Sequence, residues 1–242
     1  TWVLALALLP VLGFIIYFFL GPRRVRRQRA RRGIARERRE AVAPDALAPT
    51  STGLQRMVHA ITGFPVTTCR EVELLPGGEA TIESLVGEIA RARDHIHMEY
   101  YIFEPDHTGR QVRDALVERA RAGVKVRLLV DAMGSARLGR RFLAPLREAG
   151  ACVAWFHPVG IGGFRLRLPR INFRTHRKLV VIDGGLGFTG GVNICDEGNA
   201  RHSASAFHDL HVRLRGEAVG WLQSAFVEDW LYATREHLSS EG

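Results

Sequence analysis

The chain has 242 residues, 46% hydrophobic and 24% charged, ordinary values for a folded protein with one sizeable core or one domain plus appendages. Its three cysteines, Cys69, Cys152 and Cys195, are an odd number without CxxC spacing, which argues against a disulfide framework or zinc site and for reduced thiols in a cytosolic environment. The net charge of +9 invites nucleic acid, but ten arginines and two glutamates between residues 21 and 40 carry almost all of it, leaving the rest of the chain close to neutral.

In chain order, residues 2–20 carry no charge. As a helix they span about 28 Å, the thickness of a bilayer's hydrocarbon core, so residues 1–20 are read as a transmembrane helix. No positive region precedes this run and no small-residue cleavage site follows it, which argues against a signal peptide. The arginine-rich flank predicts that its C-terminal side faces the cytoplasm and attracts anionic lipid headgroups. The arginine-rich stretch and a small-residue, Pro-containing linker occupy 21–55, and a globular domain is expected over 56–242. The start at Thr1 leaves room for upstream sequence, including another membrane segment.

Strand and helix patterns then alternate. Strands are predicted at 69–75, 95–103, 124–130 and 151–156, and helices at about 80–93, 108–122 and 137–149. A Gly-, Pro- and Arg-rich loop covers 158–171. A hairpin follows with Asp183-Gly184-Gly185 as its turn, then a strand at 208–216 and a closing amphipathic helix containing Trp221, Phe226 and Trp230. The alternation predicts an α/β domain with a mostly parallel sheet flanked by helices.

The hairpin's first strand carries the chemistry. Lys178 is one of only two lysines among 34 basic residues, and it stands two positions after His176. In an extended strand alternate residues share a face, which groups Asn172, Arg174, His176 and Lys178 against Phe173, Thr175, Arg177 and Leu179. An imidazole, with an ordinary pKa near about 6.5, attacks electrophiles or shuttles protons, and an ammonium suits a phosphoryl oxygen. Phosphoryl transfer is the chemistry this pair fits. A fixed lysine charge beside His176 disfavours a metal there, and His95, His97, His208 and His211 are read as ordinary surface or core residues; no metal or cofactor enters this reading.

His176-Arg177-Lys178, Asp183 and Gly190-Gly191-Val192-Asn193 resemble the HKD motif of the phospholipase D superfamily with its trailing GGxN. The longer stretches HMEYYIFEPDHTGRQVRDALVERARAGVKVRLLVDAMGS and NFRTHRKLVVIDG, with the membrane run, are similar to bacterial cardiolipin synthases. The resemblance implies a phospholipase D-like half-domain, with His176 as the nucleophile, Lys178 and Asn193 holding phosphate, and Asp183 as the motif aspartate. The strand parity of Asp183 is opposite to that of His176 and Lys178, so it is expected to anchor the turn or orient its neighbours. Asp209 is implied to orient a histidine, although Phe207-His208 stands where the family has Trp-Arg. Glu99 either borders the site or is a satisfied structural carboxylate. The resemblance also implies a membrane-bound phosphatidyltransferase that makes cardiolipin and glycerol from phosphatidylglycerol through a phosphohistidine, with phosphatidylglycerol and anionic lipids as partners and a place at the inner membrane; the near-neutral globular part argues against nucleic acid. A phosphodiesterase acting on phospholipid or nucleic acid, or a silent membrane module, is the alternative. The chain holds no second HxK, so the matching half is expected from a C-terminal part of a longer enzyme or from a homodimer.

Overall fold

The computed structural model describes residues 52–62, 66–156 and 175–238. The apolar run, the arginine-rich stretch, the linker up to residue 51, the 158–171 loop, Asn172 and Arg174 lie outside the described residues. Among the described residues no helix is long and apolar enough to cross a membrane.

Residues 1–66 form a unit of their own, whose described part is helix α1 (Gly53–Thr62). The sequence reading missed α1, taking its first residues for linker. Its signal is Leu54, Met57, Val58 and Ile61 at helical spacing, all exposed.

From Thr67 onward the elements are β1 (Glu71–Pro76), α2 (Gly77–Ile89), β2 (His95–Tyr100), α3 (His107–Arg121), β3 (Lys125–Asp131), α4 (Arg140–Glu148), β4 (Cys152–Phe156), β5 (Lys178–Ile182), β6 (Leu186–Gly190), β7 (Leu210–Arg215) and α5 (Val219–Thr234). The strands form one sheet in the order β1-β7-β6-β5-β2-β3-β4. Only β2–β3 and β3–β4 pair in parallel, and the other four pairings are antiparallel. The expectation of a mostly parallel sheet is therefore corrected to a mixed one. Helical crossovers α3 and α4 permit parallel neighbours, whereas the three-residue connection between β5 and β6 permits only a reversal.

Strand alternation divides the side chains between two layers. Ile96, Met98, Tyr100, Val126, Leu128, Val180 and Phe188 join Ile82, Leu85, Val112, Leu116 and Leu146 from α2, α3 and α4 in the larger core. Leu129, Phe156 and Leu179 meet Phe226 and Trp230 of α5 on the other face. The apolar residues of α5 are core, as the sequence predicts. Asp106 caps α3 by accepting from the Gly109 amide at 2.9 Å, and its second oxygen accepts from the Asp196 amide at 2.7 Å. Asp196 in turn accepts from the Thr108 amide at 2.8 Å, so two aspartates fasten the start of α3 to the segment after β6.

The predicted turn is present, with Asp183 and Gly184 at φ 50° and 64°. The carboxylate of Asp183 accepts from the amides of Arg93, Asp94 and His95 at 2.9, 2.8 and 3.0 Å, and its own amide donates to the His95 carbonyl at 3.0 Å. One residue thereby pins the hairpin to the start of β2 and fixes the β2–β5 register. Hydrogen bonds to a charged group each contribute about 1.5–3 kcal/mol. Asp183→Ala is expected to lower unfolding free energy by about 2–4 kcal/mol in chemical denaturation, after allowance for solvent at the exposed turn.

Candidate active site

The opposite end of β5 is where the motif residues gather. The strand begins at Lys178, so Thr175, His176 and Arg177 precede it as extended chain instead of lying within it. The alternation nevertheless persists. Thr175 is buried and its hydroxyl donates to Glu99 Oε1 at 2.6 Å. Arg177 donates to the Asp229 carboxylate of α5 and to the Ala225 carbonyl. Between them His176 turns outward and is exposed. Its ring stacks on Tyr101, with centroids 4.0 Å apart and planes tilted by 20°. Lys178 Nζ donates to the His176 carbonyl at 3.0 Å and lies 5.4 Å from the Tyr101 ring centroid. Tyr101 is thus a shared platform for imidazole and ammonium.

Asn193 approaches from the far side of β6, its Oδ1 accepting from the Ile102 amide at 3.4 Å. This contact ties the GGxN segment to the residue after Tyr101. Gly190 and Gly191 make the approach of β7 possible. A Cβ on Gly190 would lie 2.5 Å from the Leu210 carbonyl oxygen, and one on Gly191 would lie 2.7 Å from Asp209 Oδ1. The paired glycines are therefore spacers that admit Asp209 to the site.

The electrostatics follow from this packing. Burial lowers the pKa of Lys178, and the carboxylate of Asp209 opposes that shift. Asp209 thus acts on the lysine, a contribution the sequence reading did not assign to it. His211, wholly buried behind the site, is pushed down to about 4 by burial and by the Lys178 charge, so it is neutral at pH 7. His97 is likewise lowered to about 4 by burial and packs between Gln223 and Phe226. His95 pairs with Asp94 at the Asp183 end of the sheet.

The site therefore brings together His176, Lys178, Asn193 and Asp209, with Glu99 beneath them. Asp183 stands apart, seven residues from His176 at the far end of the strand. The sequence reading missed Tyr101, Thr175, Arg177 and Asp229. The one readable signal was Asp229, an acid directly before Trp230 on an otherwise largely apolar helix.

Comparison with known proteins gives this arrangement its relatives. A family described as "Cardiolipin synthase, PLD-like domain" matches residues 85–230, a span that includes every candidate residue. The chain belongs to this family. It is 38% identical to cardiolipin synthase 1 of Bacillus cereus over 246 residues, covering 97% of this chain and 48% of that protein. It is 38% identical to the cardiolipin synthase of Geobacillus kaustophilus, covering 98% of this chain and 49% of the relative. For the major cardiolipin synthase ClsA of Bacillus subtilis the identity is 35%, with 98% and 52% covered. The chain thus spans about half the length of these relatives. Among solved structures, Nuc from Salmonella typhimurium, a phospholipase D family member, shares the fold with a TM-score of 0.50 and 18% identity, covering 67% of this chain and 97% of Nuc. NucT from Helicobacter pylori gives a TM-score of 0.51 at 17% identity with the same coverage.

A stacked ring pair contributes about 0.5–1.5 kcal/mol. Tyr101→Ala is expected to lower the unfolding free energy by about 0.5–1.5 kcal/mol, whereas Tyr101→Phe keeps most of it; chemical denaturation measures the difference.

Proposed function

We propose that this chain supplies one half of a membrane-bound phosphatidyltransferase that makes cardiolipin from two phosphatidylglycerol molecules. The observation carrying this reading is the outward-facing imidazole of His176 stacked on Tyr101 beside the Lys178 ammonium. A ring nitrogen of His176 bonds to the phosphorus of one phosphatidylglycerol, and the phosphorus–oxygen bond to its terminal glycerol breaks. That glycerol oxygen takes a proton from an acid in the second half. The glycerol hydroxyl of a second phosphatidylglycerol then returns a proton to that group and attacks the same phosphorus. The phosphorus–nitrogen bond breaks, releasing cardiolipin and freeing His176. Lys178 and the amide of Asn193 offset charge on the phosphoryl oxygens during both steps.

The residues near the membrane fit this reading. The apolar run and the arginines after it would tether the enzyme to the inner leaflet of a bacterial cytoplasmic membrane and concentrate anionic lipid there. The second HKD half would meet the sheet on the α5 face. There Val72, Leu74 and Leu210 remain 58%, 61% and 51% exposed, on strands that run up to Asp209. An uncovered apolar strip continuous with a half-site suits a second half-domain, whether a C-terminal part or another copy.

His176→Ala in the complete enzyme is expected to abolish cardiolipin formation from phosphatidylglycerol vesicles. With phosphate-labelled substrate, the wild type should carry an acid-labile, base-stable label at His176. Phosphatidic acid and free glycerol in place of cardiolipin would indicate hydrolysis, and no label on an intact two-motif assembly would refute the mechanism. The double substitution of Val72 and Leu74 by glutamate is expected to reduce turnover at least about tenfold without lowering the thermal stability of this half alone.

A further inference from the structure

Directly beneath His176 lies an ionic group, its carboxyls buried and its guanidinium partly exposed, that the transfer steps do not use. Glu99 is wholly buried on β2, and Asp229 is 1% exposed on α5. The Asp229 carboxylate lies near enough to Glu99 to raise its pKa, and the buried Oε2 of Glu99 has no hydrogen-bond partner among the described residues. Glu99 Oε1 accepts from Thr175, and Asp229 accepts from Arg177. Thr175 and Arg177 are the two residues flanking His176. The group thus holds the chain immediately before and after the imidazole, one link through β2 and one through α5.

Charge balance accounts for the arrangement. Two carboxylates and one guanidinium leave one negative charge, which is costly in a buried site. One proton makes the group neutral. Burial and the neighbouring Asp229 carboxylate both raise the pKa of Glu99 above the ordinary carboxylate range, so Glu99 holds that proton. Other charged or titratable groups on this face include His95 and His97 of β2, Arg127 and Asp131 of β3 and Tyr232 of α5; His95 pairs with Asp94, and Asp131 Oδ1 accepts from the Met133 and Gly134 amides. His97 is neutral, and Arg127 lies 3.3 Å from its Nε2 and 3.9 Å from Glu236, engaged away from Glu99.

We propose that Glu99, Asp229, Arg177 and Thr175 form a buried clamp that sets the position of the His176 imidazole, making them positioning residues for the transfer reaction. The inference rests on His176 being the nucleophile. The clamp fixes the backbone on both sides of a residue whose own side chain, among the described residues, stacks on Tyr101. Small misplacement of a nucleophile is enough to lower kcat by one to two orders of magnitude.

The test uses the complete enzyme on phosphatidylglycerol vesicles. Glu99→Ala and Asp229→Ala are expected to lower kcat roughly ten- to hundredfold with KM within about twofold. Glu99→Gln imitates the protonated acid: its oxygen accepts from Thr175 and its neutral NH2 stands in for the protonated oxygen. It should retain near-wild-type activity at pH 7 and lose the decline in kcat that ionisation of Glu99 imposes on the wild type at alkaline pH. Stability gives a second readout. The native state holds one more proton than the unfolded state above the ordinary glutamate range, so wild-type stability falls as pH rises there, and Glu99→Gln should flatten that slope. Should the alanine variants fail to fold, Thr175→Val tests the same link with nearly unchanged volume, and Thr175→Ser should restore activity. The proposal is overturned if Glu99→Gln is folded but as impaired as Glu99→Ala, if Thr175→Val is fully active, or if folded Glu99→Ala keeps wild-type kcat. A His176→Ala control separates the two readings. If that variant still turns over, the nucleophile assignment fails; if it is dead while folded Glu99→Ala is normal, only the clamp falls.

Discussion

The two-residue alternation of the chain entering β5 is the constraint on which the site depends. Because successive side chains point to opposite sides, Thr175 and Arg177 reach into the protein whenever His176 reaches out. Lys178 then falls on the side of His176, and Leu179 returns to the α5 core. A slip of one residue would bury the imidazole and lysine and expose an arginine that now balances buried carboxylates. Register and chemistry are therefore a single property of this strand. That is the physical role of Asp183, which holds the register from the opposite end through three backbone amides. A motif aspartate can be indispensable without meeting the phosphate.

Much of this was legible in the sequence, for reasons specific to each element. The hairpin is written in Asp183-Gly184, whose backbone must adopt positive φ, and in the apolar runs on either side. Helices α2, α3 and α5 follow from apolar spacing, and the rarity of lysine drew attention to Lys178. Strand direction was not legible, because local pattern does not record which neighbour a strand will choose. β1 and β7 read like any other strands, yet they pair antiparallel at the sheet edge.

The site was legible only where a residue's chemistry is visible in isolation. Histidine, lysine and asparagine at motif spacing announce themselves. Glu99 did not, since an acid in a strand reads equally as surface or site, and only the fold brings it to Thr175 and Asp229. Asp229 lies 52 residues from Arg177, and no periodicity links positions so far apart. Tyr101 follows a buried tyrosine and is distinguished from it only by where β2 ends.

Charge at the mouth of the site suits the phosphodiester of the proposed reaction. Lys178 loses some solvation through burial, which disfavours its charged form, and Asp209 partly restores that form. His211 behind it is neutral, and the carboxyl–guanidinium group below is balanced by the proton that burial and the Asp229 charge keep on Glu99. A lysine held in this way is a weakly hydrated cation with Asp209 as its nearby acid among the described residues. The lipid phosphodiester of the proposed reaction carries one negative charge, and its arrival would give Lys178 a counterion where water has been reduced. That gain grows as charge shifts onto the phosphoryl oxygens during attack, so the same ammonium favours the transition state over the resting lipid. The neutral surroundings matter as much as the lysine. An unbalanced carboxylate beneath His176 would repel an anionic substrate.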